Sequence, residues 1–265
     1  MPPIGRPDGG ASVSAVRRVE SARRGLRRAH HRALRAIHCA IVPQPSATPS
    51  MGRSLKYEIP GVDSRVALDE WAEKGWRGVF GRRADGERPS RVLEIGFGRG
   101  EFLLDLATRS PDVEFVGVEV SFKRTLKMAR KVARAVLSNV RLVEGRAEEA
   151  IRAVPEPASL EAIWINFSDP WPKSRHHKRR VVQHASLAQF HRLLDDGGEL
   201  RLVTDHDDLW NWYEEHAVAN VALFDRIEFS SPDSAGESEV VGTNFERKFI
   251  AEGRRFRSMT LVKKS

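Results

Sequence analysis

The chain has 265 residues and a formal net charge of +8, which allows one large α/β domain with a substantial core. No apolar run approaches the length of a membrane span, so we expect no membrane-spanning segment. The charge is uneven: residues 1–50 hold nine arginines and two acidic residues, whereas residues 51–265 hold 35 basic and 34 acidic residues. A nucleic-acid-binding function of the core must therefore rest on local patches. The single cysteine, Cys39, excludes an internal disulfide and fits a reducing, cytoplasmic compartment.

Residues 1–50 differ from the rest of the chain. Apolar residues recur between the arginines at helical spacing, and the flanks 1–13 and 43–50 are rich in Pro, Ser, Gly and Ala. Such a basic amphipathic segment suits an RNA-binding helix, a helix on an anionic membrane or a transit peptide. We favour a simpler interpretation, a basic, disordered N-terminal extension without a role, upstream of a start at Met51. Residues 51–265 are then predicted to form a single domain.

From Ser90 onward, strand and helix patterns alternate regularly. Strand patterns fall near 91–95, 114–119, 140–144, 160–166 and 199–204. Helical patterns fall near 100–109, 122–138, 181–194 and 207–217. This order predicts an α/β fold with a doubly wound, mostly parallel sheet, helices on both faces, and a ligand beyond the carboxyl ends of the strands. A last β-rich part, 222–229 and 256–263, predicts antiparallel C-terminal strands around an irregular loop, 230–243.

The strand at 91–95 runs into a glycine-rich turn that indicates the ligand. Gly96, Gly98 and Gly100 alternate, so the GxGxxG spacing of nicotinamide sites fails, and Glu94 precedes the first glycine. A carboxylate there would repel a pyrophosphate but suits a ligand with a cationic amino-acid end, such as S-adenosylmethionine. The next strand ends in Glu119, where a ribose diol needs an acceptor. We predict a methyl-donor site, with a purely structural glycine turn as the alternative.

The fourth strand is followed by Ser168-Asp-Pro-Trp-Pro-Lys173 and a basic run that ends at residue 180. Two prolines in four residues stiffen the backbone and hold Asp169 at the sheet edge, near the expected position of a sulfonium methyl group. Trp171 offers a stackable face and the cations of 173–180 suit phosphates, a combination that splayed nucleotides need. The alternatives are a turn cap for Asp169, a core position for Trp171 and a solvated face for the cations.

Two further polar segments are expected at the same edge. The fifth strand ends in Thr204-Asp205, and the segment 242–249 contains an Asn, a carboxylate and two cations after an exposed loop. These groups suit the reading of a base edge. The alternatives are a helix cap at Thr204 or Asp205 and a strand-entry turn at 242–249.

Together these motifs resemble the bacterial tRNA (guanine-N7-)-methyltransferase family over roughly residues 55–265. The most specific part is Asp169-Pro-Trp-Pro-Lys173 with the cations after it, whereas the glycine turn alone fits any class I methyltransferase. The resemblance implies a class I, Rossmann-like fold and methyl transfer from S-adenosylmethionine to N7 of a guanosine in the tRNA variable loop. No metal is expected, since His176 and His177 are adjacent within a basic run. The oligomeric state, monomer or homodimer, stays open.

The resemblance also implies roles for individual residues. Glu94, Glu119 and the turn glycines would bind the donor, and Asp169 would be the catalytic acid residue and touch the donor. The implied substrate contacts are Lys173, Asp205, Thr243, Asn244, Phe245 and Glu246. One departure is Arg146, at a donor-binding position where the family usually has an acidic or amide residue facing the adenine edge. A backbone amide, Glu144 or Glu148 would then serve that edge.

Two other classes of function stay open on the sequence. A methyltransferase for another RNA or a small molecule would keep the glycine turn but would not need the cations of 173–180. A non-catalytic RNA-binding module would keep those cations but would not need Glu94, Glu119 and Asp169, which are all present.

Overall fold

The computed structural model describes residues 58–81 and 88–265. The predicted extension, residues 1–50, lies outside the described residues, so the extension and its boundary with the domain stay predictions. Within the described part of the chain, no helix is both long and apolar enough to cross a bilayer.

Eight strands form one sheet in the order β1-β4-β3-β2-β5-β6-β8-β7. The strands are β1 (Arg65–Val66), β2 (Arg91–Ile95), β3 (Glu114–Glu119), β4 (Val140–Glu144), β5 (Leu160–Asn166), β6 (Leu194–Thr204), β7 (Phe224–Ile227) and β8 (Arg257–Lys263). Strands β1 to β6 pair in parallel, and β8 lies antiparallel between β6 and β7. The predicted α/β fold, with a mostly parallel sheet and antiparallel C-terminal strands, is confirmed.

Helices cover both faces of this sheet. They are α1 (Leu68–Phe80), α2 (Glu101–Arg109), α3 (Phe122–Arg134), α4 (Ala147–Ala153), α5 (His184–Leu193), α6 (Asp207–Ala219) and α7 (Asn244–Ile250), with a 3-10 helix at Ser174–Arg179. Strand β2 contributes side chains to the core on both faces. Leu93 and Ile95 pack with α1, α4, α5 and α6, whereas Val92 packs with α2 and α3. A strand covered on both faces reads as a continuous apolar run, which is the pattern that predicted these strands.

The chain reverses direction across the sheet between β2 and β5. From β2 it continues to β3 and β4 on one side, and then crosses to β5 and β6 on the other. In open α/β sheets the ligand lies at such a switch point, beyond the carboxyl ends of the strands. The residues after Ile95 and after Asn166 are therefore placed to form the site.

Several boundaries differ from the sequence prediction. Helix α3 ends at Arg134 instead of 138, because Val136 adopts a left-handed conformation with φ 53°. Strand β6 begins at Leu194 instead of 199, and an irregularity in its pairing with β5 accommodates the turn residues between. Helices α1, α4 and α7 were not predicted. The strand-entry turn considered for 242–249 is wrong, because Thr243 caps α7 by accepting a hydrogen bond from the backbone N–H of Glu246.

Candidate active site

A cavity of about 540 Å³ opens at the switch point between β2 and β5. The loops after β2, β3, β4 and β5 form its wall, as the topology requires. The residues that line it are Ile95, Gly96, Val118, Glu119, Val120, Arg124, Gly145, Arg146, Ala147, Glu148, Phe167, Ser168, Asp169, Trp171, Arg179 and Val181. Acidic, basic and aromatic groups thus share one cavity.

The first and third glycines of the turn after β2 have different structural roles. All three have left-handed backbones, with φ of 74°, 56° and 74° at Gly96, Gly98 and Gly100. Gly96 lines the cavity, and a Cβ atom there would meet nothing within 4 Å. A Cβ atom at Gly100 would lie 2.2 Å from Sδ of the buried Met128. The first glycine therefore leaves room in the cavity, and the third allows α2 to pack on α3.

Glu119 fastens the glycine turn to the end of β3. It is 4% exposed, and its carboxylate accepts hydrogen bonds from the backbone N–H groups of Gly98 at 2.9 Å and Ser121 at 3.0 Å. Arg124 lies 3.5 Å from the same carboxylate, and both residues line the cavity. The predicted donor residues Glu119 and Gly96 therefore lie in one place, and an acceptor faces the cavity there.

Glu94 forms a buried polar pair with Asn166, the last residue of β5. The Asn166 amide donates a hydrogen bond to Glu94 Oε1 at 3.3 Å. Glu94 Oε2 and Asn166 Oδ1 are buried and have no hydrogen-bond partner among the described residues. Burial raises the pKa of Glu94 to about 8, and the nearby charges of Glu101 and Glu119 add to the effect. When Glu94 is ionised, the pair holds two buried acceptors without partners, which calls for a donor, preferably a cationic one.

Asp169 lies in a strained loop at the rim of the cavity. Its side chain is exposed, while the residues two positions away on either side, Phe167 and Trp171, have left-handed backbones with φ of 53° and 45°. Such conformations in non-glycine residues persist where the surrounding structure holds them, and they cluster at functional sites. The prolines alone therefore do not account for the position of Asp169.

Helix α6 holds this loop at two points. The Ser168 hydroxyl lies 3.0 Å from the Tyr213 hydroxyl, and burial raises the pKa of Tyr213 to about 12, so the phenol keeps its proton at neutral pH. Arg180 donates a hydrogen bond to the Pro170 carbonyl at 2.8 Å and stacks on Trp212 with 4.9 Å between guanidinium and ring. The loop is thus fixed from both ends.

The basic run 173–180 is exposed in part, and one of its residues, Arg180, is buried. Lys173 and Lys178 are exposed, as a phosphate contact requires. Arg179 lies on the cavity wall with its guanidinium 4.8 Å above the ring of Trp171, which is half-buried and also lines the cavity, and a stacking role for Trp171 stays a prediction. Arg180 is 2% exposed, and burial lowers its pKa. The interpretation of 173–180 as a run of phosphate contacts is therefore wrong for Arg180.

The remaining predicted substrate contacts lie outside the cavity wall. Asp205 pairs with Arg254 at 2.7 Å. Glu246 is fully buried, and its carboxylate accepts hydrogen bonds from the backbone N–H groups of residues 240, 241 and 242. Thr243 caps α7, whereas Asn244 is exposed. These contacts organise the start of α7, and a role of the four residues in substrate binding stays a prediction.

Phe245 connects α7 with the cavity. Its ring is 40% exposed and lies 4.8 Å from the ring of Phe167, which lines the cavity. Arg146 also lies on the wall, with a side chain that is 63% exposed and 3.9 Å from Glu148. Of the two acids considered for the adenine edge, Glu148 lines the cavity and Glu144 does not. The sequence analysis missed Asn166 and Arg124; an amide at the end of the strand next to Glu94 was the available signal for the first.

The chain is similar to known proteins in both structure and sequence. Among solved structures, the chain is similar to the aminoglycoside resistance methyltransferase NpmB1, with a TM-score of 0.48 and 18% identity over 74% of this chain and 93% of that one. Residues 88–259 match the family described as "Putative methyltransferase".

Two curated proteins named tRNA (guanine-N(7)-)-methyltransferase are closer in sequence. The protein from Alkaliphilus oremlandii is 33% identical over 190 residues, which cover 71% of this chain and 86% of that protein. The protein from Geobacillus thermodenitrificans is 31% identical over 204 residues, which cover 76% of this chain and 90% of that protein. This chain belongs to the tRNA (guanine-N7-)-methyltransferase family.

Proposed function

We propose that the protein transfers a methyl group from S-adenosylmethionine to N7 of a guanosine in the variable loop of tRNA. One observation carries the proposal: a single cavity has the acceptor Glu119 and the open glycine Gly96 at one part of its wall and the exposed carboxylate of Asp169 at another. A donor and a base can therefore meet in it. The names of the curated relatives supply the tRNA and the N7 atom.

The residues present fit the methyl donor. Its ammonium group offers N–H donors to Glu94 Oε2 and Asn166 Oδ1, the two buried acceptors that lack partners. Its ribose hydroxyls suit the Glu119 carboxylate, and Gly96 leaves space where any larger residue would project a side chain. When bound, the donor supplies an electrophilic methyl group on a sulfonium.

Asp169 is the residue that we assign to catalysis. N7 of guanine has an in-plane lone pair and no proton at neutral pH, so the protein needs no strong base and no metal. Positive charge reaches the base during transfer and acidifies N1–H and the exocyclic amine. A carboxylate that accepts hydrogen bonds from that edge binds the transition state more tightly than the ground state. The fixed loop around Asp169 contributes alignment, which supplies roughly 7–11 kcal/mol in the best cases.

The aromatic and basic groups at the rim suit an extruded guanosine. Trp171 offers a ring face with Arg179 beside it, and Lys173 and Lys178 are exposed on the same segment. Bases of single-stranded loops are recognised by stacking on aromatic rings and guanidinium planes, while cations hold the phosphates. This combination favours an RNA loop over a small-molecule substrate.

The test is methylation of an unmodified tRNA transcript by the purified protein with methyl-labelled donor, followed by nucleoside analysis. We expect label in 7-methylguanosine. The matched control is the same transcript made with 7-deazaguanosine, which keeps the shape of the base but replaces N7 by a carbon and should accept no label. A second transcript, with the variable-loop guanosine changed to adenosine, checks the position. Label that persists on the 7-deaza transcript would refute the N7 assignment.

A further inference from the structure

Helix α3 carries an unusual concentration of positive charge. Its 13 residues include six cations and no acid. The cations are Lys123, Arg124, Lys127, Arg130, Lys131 and Arg134. Because residues 51–265 are almost neutral as a whole, this helix stands out from the domain that surrounds it.

Three of these cations form an unpaired stripe. Lys123, Lys127 and Arg134 are spaced four and seven residues apart, which places them on one side of a helix over roughly 16 Å. All three are exposed. Within the described part of the chain, no acidic side chain pairs with them, whereas Arg124 pairs with Glu119 and Lys131 with Glu101.

The cations in the first turn of α3 oppose helix stability. The N-terminal end of a helix carries partial positive charge and favours acids in the first turn. Helix α3 has no acid there, its N-cap Ser121 makes no side-chain hydrogen bond, and its first turn contains Lys123 and Arg124. Helix stability therefore does not explain Lys123 and Arg124, whereas an external anion would; Lys131 and Arg134 lie in the last turn, where cations are favourable.

The stripe leads away from the active site. Helix α3 follows directly after Glu119, and Arg124 in its first turn lines the cavity. The exposed cations of the 3-10 helix segment lie on the other loop that forms the cavity wall, next to Trp171. A polyanion that delivers a base to the cavity can thus contact cations of both segments.

We propose that the exposed side of α3, defined by Lys123, Lys127 and Arg134, binds phosphates of the tRNA backbone outside the methylated loop. The inference rests on the proposed function and assigns a binding surface to it. An anionic membrane is a poorer fit, because the apolar side of α3 is already buried: Leu126, Met128, Ala129 and Val132 lie in the core. Phe122 is the one large apolar side chain of α3 that is exposed, so the surface offers much charge and little apolar area to insert.

The test is the salt dependence of tRNA binding by the full chain. The variant Lys123→Gln/Lys127→Gln/Arg134→Gln is compared with Lys74→Gln/Arg77→Gln/Arg152→Gln, which removes the same charge from exposed positions on α1 and α4, across the sheet. Each phosphate contact contributes about 0.7–0.9 to the slope of log K against log salt concentration. We expect the α3 variant to lose about 2 to 3 units of slope and the control variant to keep the parent slope. Donor affinity should be unchanged in both.

The outcomes separate this inference from the proposed function. Equal slopes for the two variants, with a parent that methylates tRNA, would overturn the inference and leave the function intact. A parent that binds tRNA without methylating it would refute the function, and the slope would still decide the role of α3. An α3 variant that loses only its binding to anionic lipid vesicles, with an unchanged tRNA slope, would also overturn the inference in favour of a membrane surface.

Discussion

The carboxyl groups of the candidate site differ in what surrounds them, and of the three, Glu119 and Asp169 line the cavity whereas Glu94 does not. Glu94 and Glu119 are buried, with 3% and 4% of their surface exposed, whereas Asp169 is exposed at the rim of the cavity. Glu94 lacks a partner for one oxygen, so a ligand that supplies a donor there binds tightly, whereas Glu119 is already held by two backbone N–H groups and Arg124. An exposed carboxylate is screened by water until a base covers it. Glu94 and Glu119 should therefore control the affinity for the methyl donor, and Asp169 should control the rate of methyl transfer.

The largest expected effect is a loss of kcat on substitution of the exposed Asp169. Asp169→Asn keeps the size of the side chain and one acceptor oxygen but removes the charge. We expect kcat to fall by about a hundredfold or more, as for the loss of one preorganised electrostatic contact. Affinities for donor and tRNA, measured by calorimetry, should stay within a few-fold of the parent. Near-full activity would refute the role of Asp169, and Asp205, which lies outside the cavity wall, would then have to be tested in the same way.

The second effect is a loss of donor affinity on substitution of the buried Glu119. Glu119→Ala should weaken donor binding by about 1.5–3 kcal/mol, the range for hydrogen bonds to a charged group, and leave tRNA binding intact. Because Glu119 also holds the N–H groups of Gly98 and Ser121, the alanine variant loosens the glycine turn. Glu119→Gln retains an acceptor oxygen for one of these two groups and should lose less affinity. Unchanged donor binding in both variants would show that Glu119 serves only the turn.

Gly96 and Gly100 have the same φ, but Gly96 lines the cavity and Gly100 packs against Met128, so the same substitution should affect donor binding at one and stability at the other. Gly96→Ala and Gly100→Ala both place a side chain on a left-handed backbone at 74°, which costs roughly 1–2 kcal/mol. Gly100→Ala also forces Met128 to move, so its loss of unfolding free energy should be about 1–3 kcal/mol larger. Gly96→Ala should instead weaken donor binding. Thermal unfolding and calorimetry check both, and equal destabilisation would contradict the prediction.

The buried carboxyl group of Glu94 predicts a pH dependence of donor binding. With its pKa raised to about 8, Glu94 is protonated in the donor-free protein at neutral pH, and a donor ammonium requires the carboxylate. Donor affinity should rise about tenfold per unit between roughly pH 5.5 and 7, because each unit makes ionisation easier by about 1.4 kcal/mol. Glu94→Gln should bind more weakly with a flat profile. A parent profile that is already flat would place the ammonium elsewhere.

The same group gives the donor-free protein an opposite pH trend. Between the ordinary carboxyl pKa of 4.5 and the folded value of about 8, the folded state binds the proton more tightly than the unfolded state. Stability therefore falls as pH rises through this window. Glu94→Gln should remove the decline and exceed the parent by about 2 kcal/mol or more at the upper end. Thermal unfolding without donor measures it.

Much of this arrangement could be predicted from the sequence because it depends on short-range patterns. The strands at 91–95, 114–119, 140–144 and 160–166 are apolar runs buried on both faces, and their ends fix the position of Glu94, Glu119 and Asp169. The topology then brings these ends together. These features need no knowledge of distant contacts.

The features that could not be predicted depend on distant packing. Arg180 reads as one more cation in a basic run, and only its contact with Trp212 shows that it is buried. Glu246 reads as a surface acid in an exposed segment, yet its carboxylate holds the loop before α7. Helix α7 has only seven residues, too few for a clear helical period.

The attachment of the Asp169 loop to α6 has a consequence for redesign. Ser168 and Pro170 are bound by Tyr213 and Arg180, and Arg180 in turn rests on Trp212. A loop exchanged alone between two relatives would lose these partners and, with them, the left-handed conformations on either side of Asp169. The unit that can be transplanted to change the target base is therefore the loop together with the facing side of α6, two segments separated by about thirty residues of sequence.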